Sequence, residues 1–324
     1  EEIPQVDKYY GKFDWAQLVE DLAELNSPLR EELGEASFID RVQTTPQHYA
    51  YVKISEGCDR TCAYCAIPII TGRHVSRPME EIVDEVRLLV SRGVSEIQLI
   101  AQDLTYYGVD LYKKQRIAEL VERIADVEGV KWVRLHYGYP THFPMDLLRV
   151  MRERDNVCKY LDIALQHVST SVLRNMRRNI TKEETIELLQ TIRREVPGIY
   201  LRTTLMVGFP GETEEEFEQS LAFIRKCAFG DMHIFPYSRR PGTPADKMPD
   251  QLGNAVKEER SRRAIAVAEE MSHAYRQNLV GTTVSVLFEE QDGVYYTGHT
   301  PNYIKVYAKG ENLHNKVCSV TLTE

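Results

Sequence analysis

Residues 56–68 read EGCDRTCAYCAIP and place three cysteines, Cys58, Cys62 and Cys65, within eight positions. Three thiols are one ligand short of a closed zinc site, which needs four. His74 could supply the fourth ligand, although the loop to it is long. A 4Fe-4S cluster fits better, because three thiolates hold three irons and the fourth iron keeps an open position for a substrate or cofactor. The remaining interpretation is three thiols without a metal.

The cysteines follow the first of six segments with strand patterns, and every segment but the last is followed by a helical pattern. We predict strands at 48–55, 95–103, 132–140, 159–167, 200–211 and 231–238. Parallel strands joined by right-handed crossovers are the expected arrangement. Six units are two short of a closed eight-stranded barrel, so the predicted fold is an open, partial (β/α)6 barrel. Its active site should lie at the carboxyl ends of the strands, where the cysteines begin.

The helix after the cysteines has clear end signals. Residues 76–93 read SRPMEEIVDEVRLLVSRG, which predicts a helix with Ser76 as its N-cap and Gly93 at its end. A longer helical pattern covers about 254–279. The chain then changes to short β segments with turn residues, which predict a small all-β barrel.

These patterns divide the chain into three parts. Residues 1–43 are predicted to be a linker from an absent N-terminal domain, with one short helical pattern at 14–25. Residues 44–273 form the partial barrel domain, and residues 274–324 form the small β domain.

Composition limits the cellular setting. Six cysteines in 324 residues are too few for a disulfide scaffold, and Cys158, Cys227 and Cys318 are most simply core residues. No apolar run approaches the roughly 20 residues of a membrane span. We therefore predict a cytoplasmic protein with no membrane partner. The net charge is −9, of which residues 1–50 carry −7.

The spacing CxxxCxxC, with Tyr64 just before the third cysteine, resembles the signature of the radical S-adenosylmethionine (SAM) superfamily. The resemblance implies one 4Fe-4S cluster on Cys58, Cys62 and Cys65. It also implies that the amine and carboxylate of SAM chelate the open iron. One electron then cleaves SAM to a 5′-deoxyadenosyl radical, which removes hydrogen from a C–H bond.

Within that superfamily the chain resembles the methylthiotransferases, on SEGCDRTCAYCAIPIITGRHVSRP (55–78), LMVGFPGETEEEF (205–217) and a terminal barrel similar to a TRAM domain. Residues 1–215, with AQDLTYYGVDLY, RLHYGYP and YLDIALQH, resemble the RimO type, which modifies an aspartate of a small-subunit ribosomal protein. Residues 227–324, with HIFPYSRRPGTPADKMPDQL and GHTPNYIKVYAKG, resemble the MtaB type, which modifies threonylcarbamoyladenosine in tRNA. Such enzymes also carry an N-terminal domain with a second 4Fe-4S cluster that delivers sulfur. The chain alone is therefore expected to bind one cluster and not to complete methylthiolation.

Charge favours the ribosomal protein as substrate. Residues 281–324 have a net charge of −2, whereas a barrel that binds RNA should be basic. Methylthiolation of tRNA remains the alternative, and a zinc-stabilised, non-catalytic ribosome- or RNA-binding module is the alternative from another class. The resemblance further implies an electron donor such as flavodoxin.

Six other residues are candidates for binding the cofactor: Tyr64, Gln102, Asp103, Gln166, Arg202 and Val207. Asp103 could instead cap a turn, and Arg202 could instead pair with Asp162 in a structural ion pair. Gln166 and its neighbour His167 end a strand. Val207 opens the VGFPGE segment (207–212), which by resemblance packs near adenine but could serve only the strand-to-helix turn.

Overall fold

The computed structural model describes residues 8–10, 17–18, 20–22 and 43–323, in two units divided after Val42. In the first unit, residues 17–18 and 20–22 are helical, as the pattern predicted. Asp21 accepts hydrogen bonds there from Tyr10 (2.5 Å) and Gln17 (3.0 Å). Most of the predicted linker at 1–43 lies outside the described residues, and so does the rest of its helical pattern.

The second unit contains all the named strands and helices. The strands are β1 (Tyr49–Lys53), β2 (Ser55–Glu56), β3 (Val75–Ser76), β4 (Glu96–Ile100), β5 (Trp132–Leu135), β6 (Tyr160–Gln166), β7 (Tyr200–Val207), β8 (Asp231–Pro236), β9 (Thr283–Asp292), β10 (Tyr295–His299), β11 (Lys305–Ala308) and β12 (Val317–Thr321). The helices are α1 (Ile67–Thr71), α2 (Met79–Ser91), α3 (Val109–Tyr112), α4 (Ile117–Ala125), α5 (Met145–Glu153), α6 (Thr170–Asn175), α7 (Lys182–Glu195), α8 (Glu214–Cys227) and α9 (Asn254–Gln277). Two 3-10 turns cover Leu104–Tyr106 and Pro244–Lys247.

The six predicted barrel strands are present and parallel. β1, β4 and β5 form one sheet, and β6, β7 and β8 form another. Two isolated parallel bridges, Val133 to Val157 and Gly138 to Ile163, join the sheets. Their order is therefore 1-4-5-6-7-8, and no pairing between β1 and β8 is seen among the described residues. The open (β/α)6 barrel is confirmed.

Local sequence explains where two of the named helices begin. α7 and α8 each begin with a capping box, from Thr181 and Glu184 and from Thr213 and Glu216. The prediction that Ser76 caps α2 is wrong. The helix begins at Met79 after Pro78, and Ser76 instead pairs in β3 and donates its hydroxyl to Asp110 (2.6 Å).

The small β domain is confirmed as four antiparallel strands in the order β11-β10-β9-β12. It packs against the amino ends of the barrel strands, where Leu287 joins an apolar cluster with Trp132 and Tyr160. Arg134 donates to the carbonyls of Thr300 and Pro301 (3.2 and 2.6 Å). This packing leaves the carboxyl end of the barrel, which carries the cysteines, free of the small domain.

Within the part of the chain that the structure describes, no helix is long and apolar enough to cross a membrane.

Candidate cofactor site at the carboxyl end of the barrel

The three cysteines lie on a loop that a short strand pair closes at its base. β2 and β3 align Ser55 with Ser76 and Glu56 with Val75. The amide of Cys58 donates to the carbonyl of Gly72 (3.2 Å). The two ends of this loop lie close together at Gly57, which has a φ of 78°. Only glycine fits there, because a Cβ would lie 2.0 Å from the carbonyl oxygen of Arg73.

All three thiols border one cavity of about 420 Å³, which we call the cysteine cavity. Its lining includes Cys58, Cys62, Cys65, Arg60, Thr61, Arg73, Arg177 and Gly242. Burial raises the pKa of Cys58 to about 11 and also raises the pKa of Cys65, so both thiols are protonated in the metal-free chain at neutral pH. Binding a metal centre there must release protons.

The arrangement fits an iron–sulfur cluster better than zinc. Among the residues described here, no group of three or more Cys, His, Asp or Glu side chains is arranged to hold a single metal ion. His74 does not line the cysteine cavity. Its Nε2 lies 3.0 Å from the Ser76 hydroxyl and 3.7 Å from Asp110, and its buried Nδ1 has no hydrogen-bond partner among the described residues. A 4Fe-4S cluster is wider than one ion, so three thiols around a shared cavity suit it.

A second cavity of about 630 Å³, the barrel cavity, adjoins the first through Cys65, which lines both. It is lined by Tyr64, Cys65, Ala66, Ile67, Ile70, Tyr137, Gln166, Met206, Phe235, Pro236, Tyr237, Ser238 and Arg240. Two of the predicted residues, Tyr64 and Gln166, are therefore brought together beside a cysteine. Gln166 has a φ of 69°, and its buried Oε1 has no hydrogen-bond partner within the described part of the chain. That oxygen is available to a donor group in the cavity.

Gln102 and Asp103 lie just beyond β4 but line neither cavity. Asp103 is buried and caps the turn at Leu104, accepting from the Thr105 amide (3.0 Å) and from Arg60 Nε (2.9 Å). The capping alternative is thus the one observed. Gln102 donates to Glu56 at the base of the cysteine loop. Both residues hold the loop in place.

Arg202, predicted to bind the cofactor, lines neither cavity. Arg202 Nη1 lies 2.7 Å from Asp162 and its Nε lies 3.1 Å from Asp231, both aligned with it on neighbouring strands. It is the third residue of β7, near the amino end of the barrel, whereas the cysteines are at the carboxyl end. The ion pair with Asp162, the other role weighed for Arg202, is present in the structure.

Val207 does not face the barrel cavity either. It is buried against Phe217 and Leu221 of α8, while its neighbour Met206 lines the cavity, because successive side chains in a strand alternate between faces. The following turn is held by Glu212, which accepts from the Gly208 amide (2.9 Å) and pairs with Arg260 of α9 (2.7 Å). This segment therefore serves the strand-to-helix turn.

His167 is buried and structural. Its Nδ1 accepts from the Ser169 amide (3.0 Å), and its Nε2 lies 3.5 Å from Glu212. Cys158, Cys227 and Cys318 line neither cavity. Cys158 is buried in an apolar cluster, as predicted, whereas Cys227 and Cys318 are partly buried against such clusters.

Several residues near the cysteines were not predicted. Met206 and Tyr137 border the barrel cavity, and Tyr139 places its hydroxyl 3.6 Å from Cys62 Sγ. The guanidinium groups of Arg60 and Arg178 each lie 4.3 Å from the centroid of the Tyr139 ring. Because side chains alternate along β7, the sequence could have pointed to Met206 rather than Val207 as the residue that faces the cavity. No local pattern places Arg178 near the cysteines.

Comparison with known proteins agrees with this geometry. Residues 52–224 match the Radical SAM superfamily. The chain is 58% identical over 300 residues to the ribosomal protein uS12 methylthiotransferase RimO of Phocaeicola vulgatus, covering 92% of this chain and 68% of that protein. The chain belongs to the RimO family of radical SAM methylthiotransferases. The RimO protein of Flavobacterium johnsoniae is 45% identical, with 92% of this chain and 67% of that protein covered. Membership implies a 4Fe-4S cluster and SAM as cofactors.

The RimO match covers 92% of the chain and so includes most of residues 227–324, which the sequence had related to the MtaB type. Solved structures support the fold alone. The radical SAM methyltransferase TsrM of Kitasatospora setae has a TM-score of 0.52 at 18% identity, with 64% of this chain and 41% of that chain covered. Coproporphyrinogen III oxidase (HemN) of Escherichia coli has a TM-score of 0.51 at 17% identity, with 84% and 71% covered.

Proposed function

We propose that the chain carries out the radical step of methylthio transfer to an aspartate of ribosomal protein uS12. In this proposal Cys58, Cys62 and Cys65 hold one 4Fe-4S cluster, and SAM occupies the adjoining barrel cavity. The observation that carries the proposal is the position of Cys65, which lines both cavities. A cofactor in the second cavity would thus adjoin a cluster in the first.

A 4Fe-4S cluster held by Cys58, Cys62 and Cys65 would supply the electron that converts SAM into the radical that abstracts hydrogen from the target C–H bond. The residues of the chain itself would bind the cofactor and shield the reacting atoms from water. Gln166 offers its unpaired amide oxygen to a donor group in the barrel cavity. Met206, Phe235 and Tyr237 form an apolar wall that limits water near the reacting atoms.

The opening of the barrel cavity suits an acidic target side chain. Arg240 is exposed and lines this cavity, so its positive charge can attract a carboxylate. Ile70, which is 77% exposed, lines the same cavity and offers apolar contact to a peptide. Together these side chains favour a protein substrate with an aspartate at the reactive position.

We also propose that the electron donor is a small acidic protein such as flavodoxin. Arg60, Arg73 and Arg177 border the cysteine cavity, and the side chain of Arg73 is 92% exposed. Asp59 lines the same cavity and lies 3.7 Å from Arg73, and Arg60 pairs with Asp103. Because the arginines at this rim still outnumber the one carboxylate that lines it, the face of a chain with net charge −9 favours an acidic partner.

The cluster is tested by anaerobic reconstitution of the 324-residue chain with iron and sulfide. We expect about four irons per chain and, after reduction, an EPR signal that changes when SAM is added. Replacing Cys58, Cys62 or Cys65 with Ala should abolish iron binding, and Cys158→Ala is the control that should retain it. Bound zinc in place of iron would favour the non-catalytic module and overturn the proposal.

The radical step is tested by the release of 5′-deoxyadenosine after addition of SAM and dithionite. Release that rises when uS12 is added, and not when tRNA is added, would support the ribosomal substrate. Stimulation by tRNA alone would favour the MtaB-like alternative.

Binding gives an independent test of the substrate class. Glu290, Asp292 and Glu311 are exposed on the small β domain, whereas Glu289 is bonded to His299 (2.6 Å) and is left unchanged. Reversing the three exposed residues to Lys should weaken binding of a basic ribosomal protein. The same reversals should strengthen tRNA binding if tRNA is the true partner, because added cations release counterions from phosphate.

A further inference from the structure

Arg178 is a buried cation beside the cysteine loop. It is 1% exposed, and its guanidinium lies over the Tyr139 ring at 4.3 Å. Nη1 donates to the Tyr64 hydroxyl (3.0 Å), and Nη2 donates to the Ala164 carbonyl. Its Nε has no hydrogen-bond partner among the described residues. All of these protein partners are neutral.

A buried charge normally has a partner of opposite sign, because transfer of an unpaired ion from water is very costly. Arg134, which is 0% exposed, obeys this rule through Glu96 at 2.7 Å. No Asp or Glu within the described ranges forms an ion pair with Arg178. Of the groups around Arg178, Cys62 is the one that becomes an anion as a cluster ligand, and its Sγ lies 3.9 Å from Arg178 Nη1.

The backbone holds Arg178 in this position at a conformational cost. The residues on both sides, Arg177 and Asn179, have positive φ values of 56° and 40°. The Arg178 amide donates to the Leu173 carbonyl (2.9 Å), which ends α6 and turns the chain. Left-handed residues other than glycine are disfavoured and persist where the surrounding structure enforces them. The fold therefore directs this arginine towards the cysteine loop.

We propose that Arg178 is a positioning residue that supplies the counter-charge for the Cys62 thiolate and thereby favours the reduced state of the cluster. This inference rests on the proposed function. Reduction adds one electron, and thus one negative charge, to a group held by three thiolates. A fixed cation close to one of those thiolates attracts the added charge strongly in a buried environment. Charge and hydrogen bonds at the ligating sulfurs are known determinants of cluster potential.

The test is an EPR-monitored redox titration of the reconstituted chain, with dithionite as the one-electron reductant. Arg178→Met should lower the ratio of reduced to oxidised cluster at a fixed potential by at least about tenfold, which equals about 59 mV for a one-electron couple. Arg178→Lys keeps the charge and should stay nearer to the parent chain than to Arg178→Met. Arg134→Met is the matched control, because its charge faces Glu96, and it should leave the ratio unchanged. An unchanged ratio in Arg178→Met, or an equal shift in Arg134→Met, would overturn the proposal.

A second measurement covers the case in which Arg178→Met takes up no cluster. In the metal-free chain Arg178→Met should lower the thermal midpoint less than Arg134→Met, which leaves Glu96 buried and unpaired. Arg178→Lys should then restore iron binding. If Arg178→Met unfolds the metal-free chain as readily as Arg134→Met, or if Arg178→Lys restores no iron, Arg178 has only a structural role. A parent chain that binds no cluster would instead refute the proposed function itself.

Discussion

Replacing Gly57 with Ala should disrupt the cysteine loop, because the backbone of the other end of the loop lies very close to Gly57. Gly57 has a φ of 78°, and a Cβ there would meet the Arg73 carbonyl oxygen at 2.0 Å and the Gly72 oxygen at 2.8 Å. Ordinary contact begins at 3.4 Å, so one arm of the loop must move by more than an ångström. Both obstacles are backbone atoms and cannot rotate away.

The cost has two parts. The left-handed conformation costs an L-residue about 1–2 kcal/mol, and forcing extra volume into a packed position costs a further 1–3 kcal/mol or so. We therefore expect Gly57→Ala to lower the free energy of unfolding by about 2–5 kcal/mol. Gly198→Ala is the matched control, because Gly198 also has a φ of 78° but no atom lies within 4 Å of its added Cβ. It should cost only about 1–2 kcal/mol.

Urea unfolding of the metal-free chains measures both costs, and iron content after reconstitution measures the effect on the site. Because Cys58 follows Gly57 directly, movement of this arm should cost Gly57→Ala most of its iron, whereas Gly198→Ala should keep the parent amount. Equal stability of the two variants, or full iron content in Gly57→Ala, would refute the reasoning.

The remaining predictions concern the supports around the site. Arg260→Met leaves Glu212 buried without its cation and should destabilise the fold by about 3–5 kcal/mol. Arg263→Met, which breaks surface ion pairs one turn away, is the control and should cost about 1 kcal/mol or less. Equal effects of the two variants in urea unfolding would contradict this prediction. Burial lowers the pKa of His136 to about 4, so the folded state keeps it neutral while the unfolded state takes up a proton near pH 6.5. Stability should therefore fall as the pH drops from 6.5 towards 4, by about 2 kcal/mol at pH 5. His136→Gln should flatten this slope in unfolding measured at pH 7.5 and 5, and an unchanged slope would show that other groups cause it. Gln166→Ala should weaken SAM binding to the reconstituted chain in equilibrium dialysis, and unchanged binding would remove Gln166 from the site.

Local patterns in the sequence were sufficient to predict the barrel fold, the family and the general position of two site residues. Alternating strand and helix patterns predicted all six barrel strands, because strands buried on both faces read as short apolar runs between amphipathic helices. The cysteine spacing identified the family and predicted a three-thiolate site. Chain order was sufficient to place Tyr64 and Gln166 near the carboxyl ends of strands, since parallel strands bring those ends together.

Only the tertiary structure decided the roles that depend on partners distant in sequence. Arg202 could have faced a cofactor or Asp162, and strand register selected the ion pair. Val207 and Met206 are neighbours, and the direction of β7 determined which of them lines the cavity. Arg178 reaches Cys62 from 116 positions away through two left-handed residues. No local pattern encodes such a contact, because the burial that makes a counter-charge necessary exists only after the open barrel has folded around Arg178.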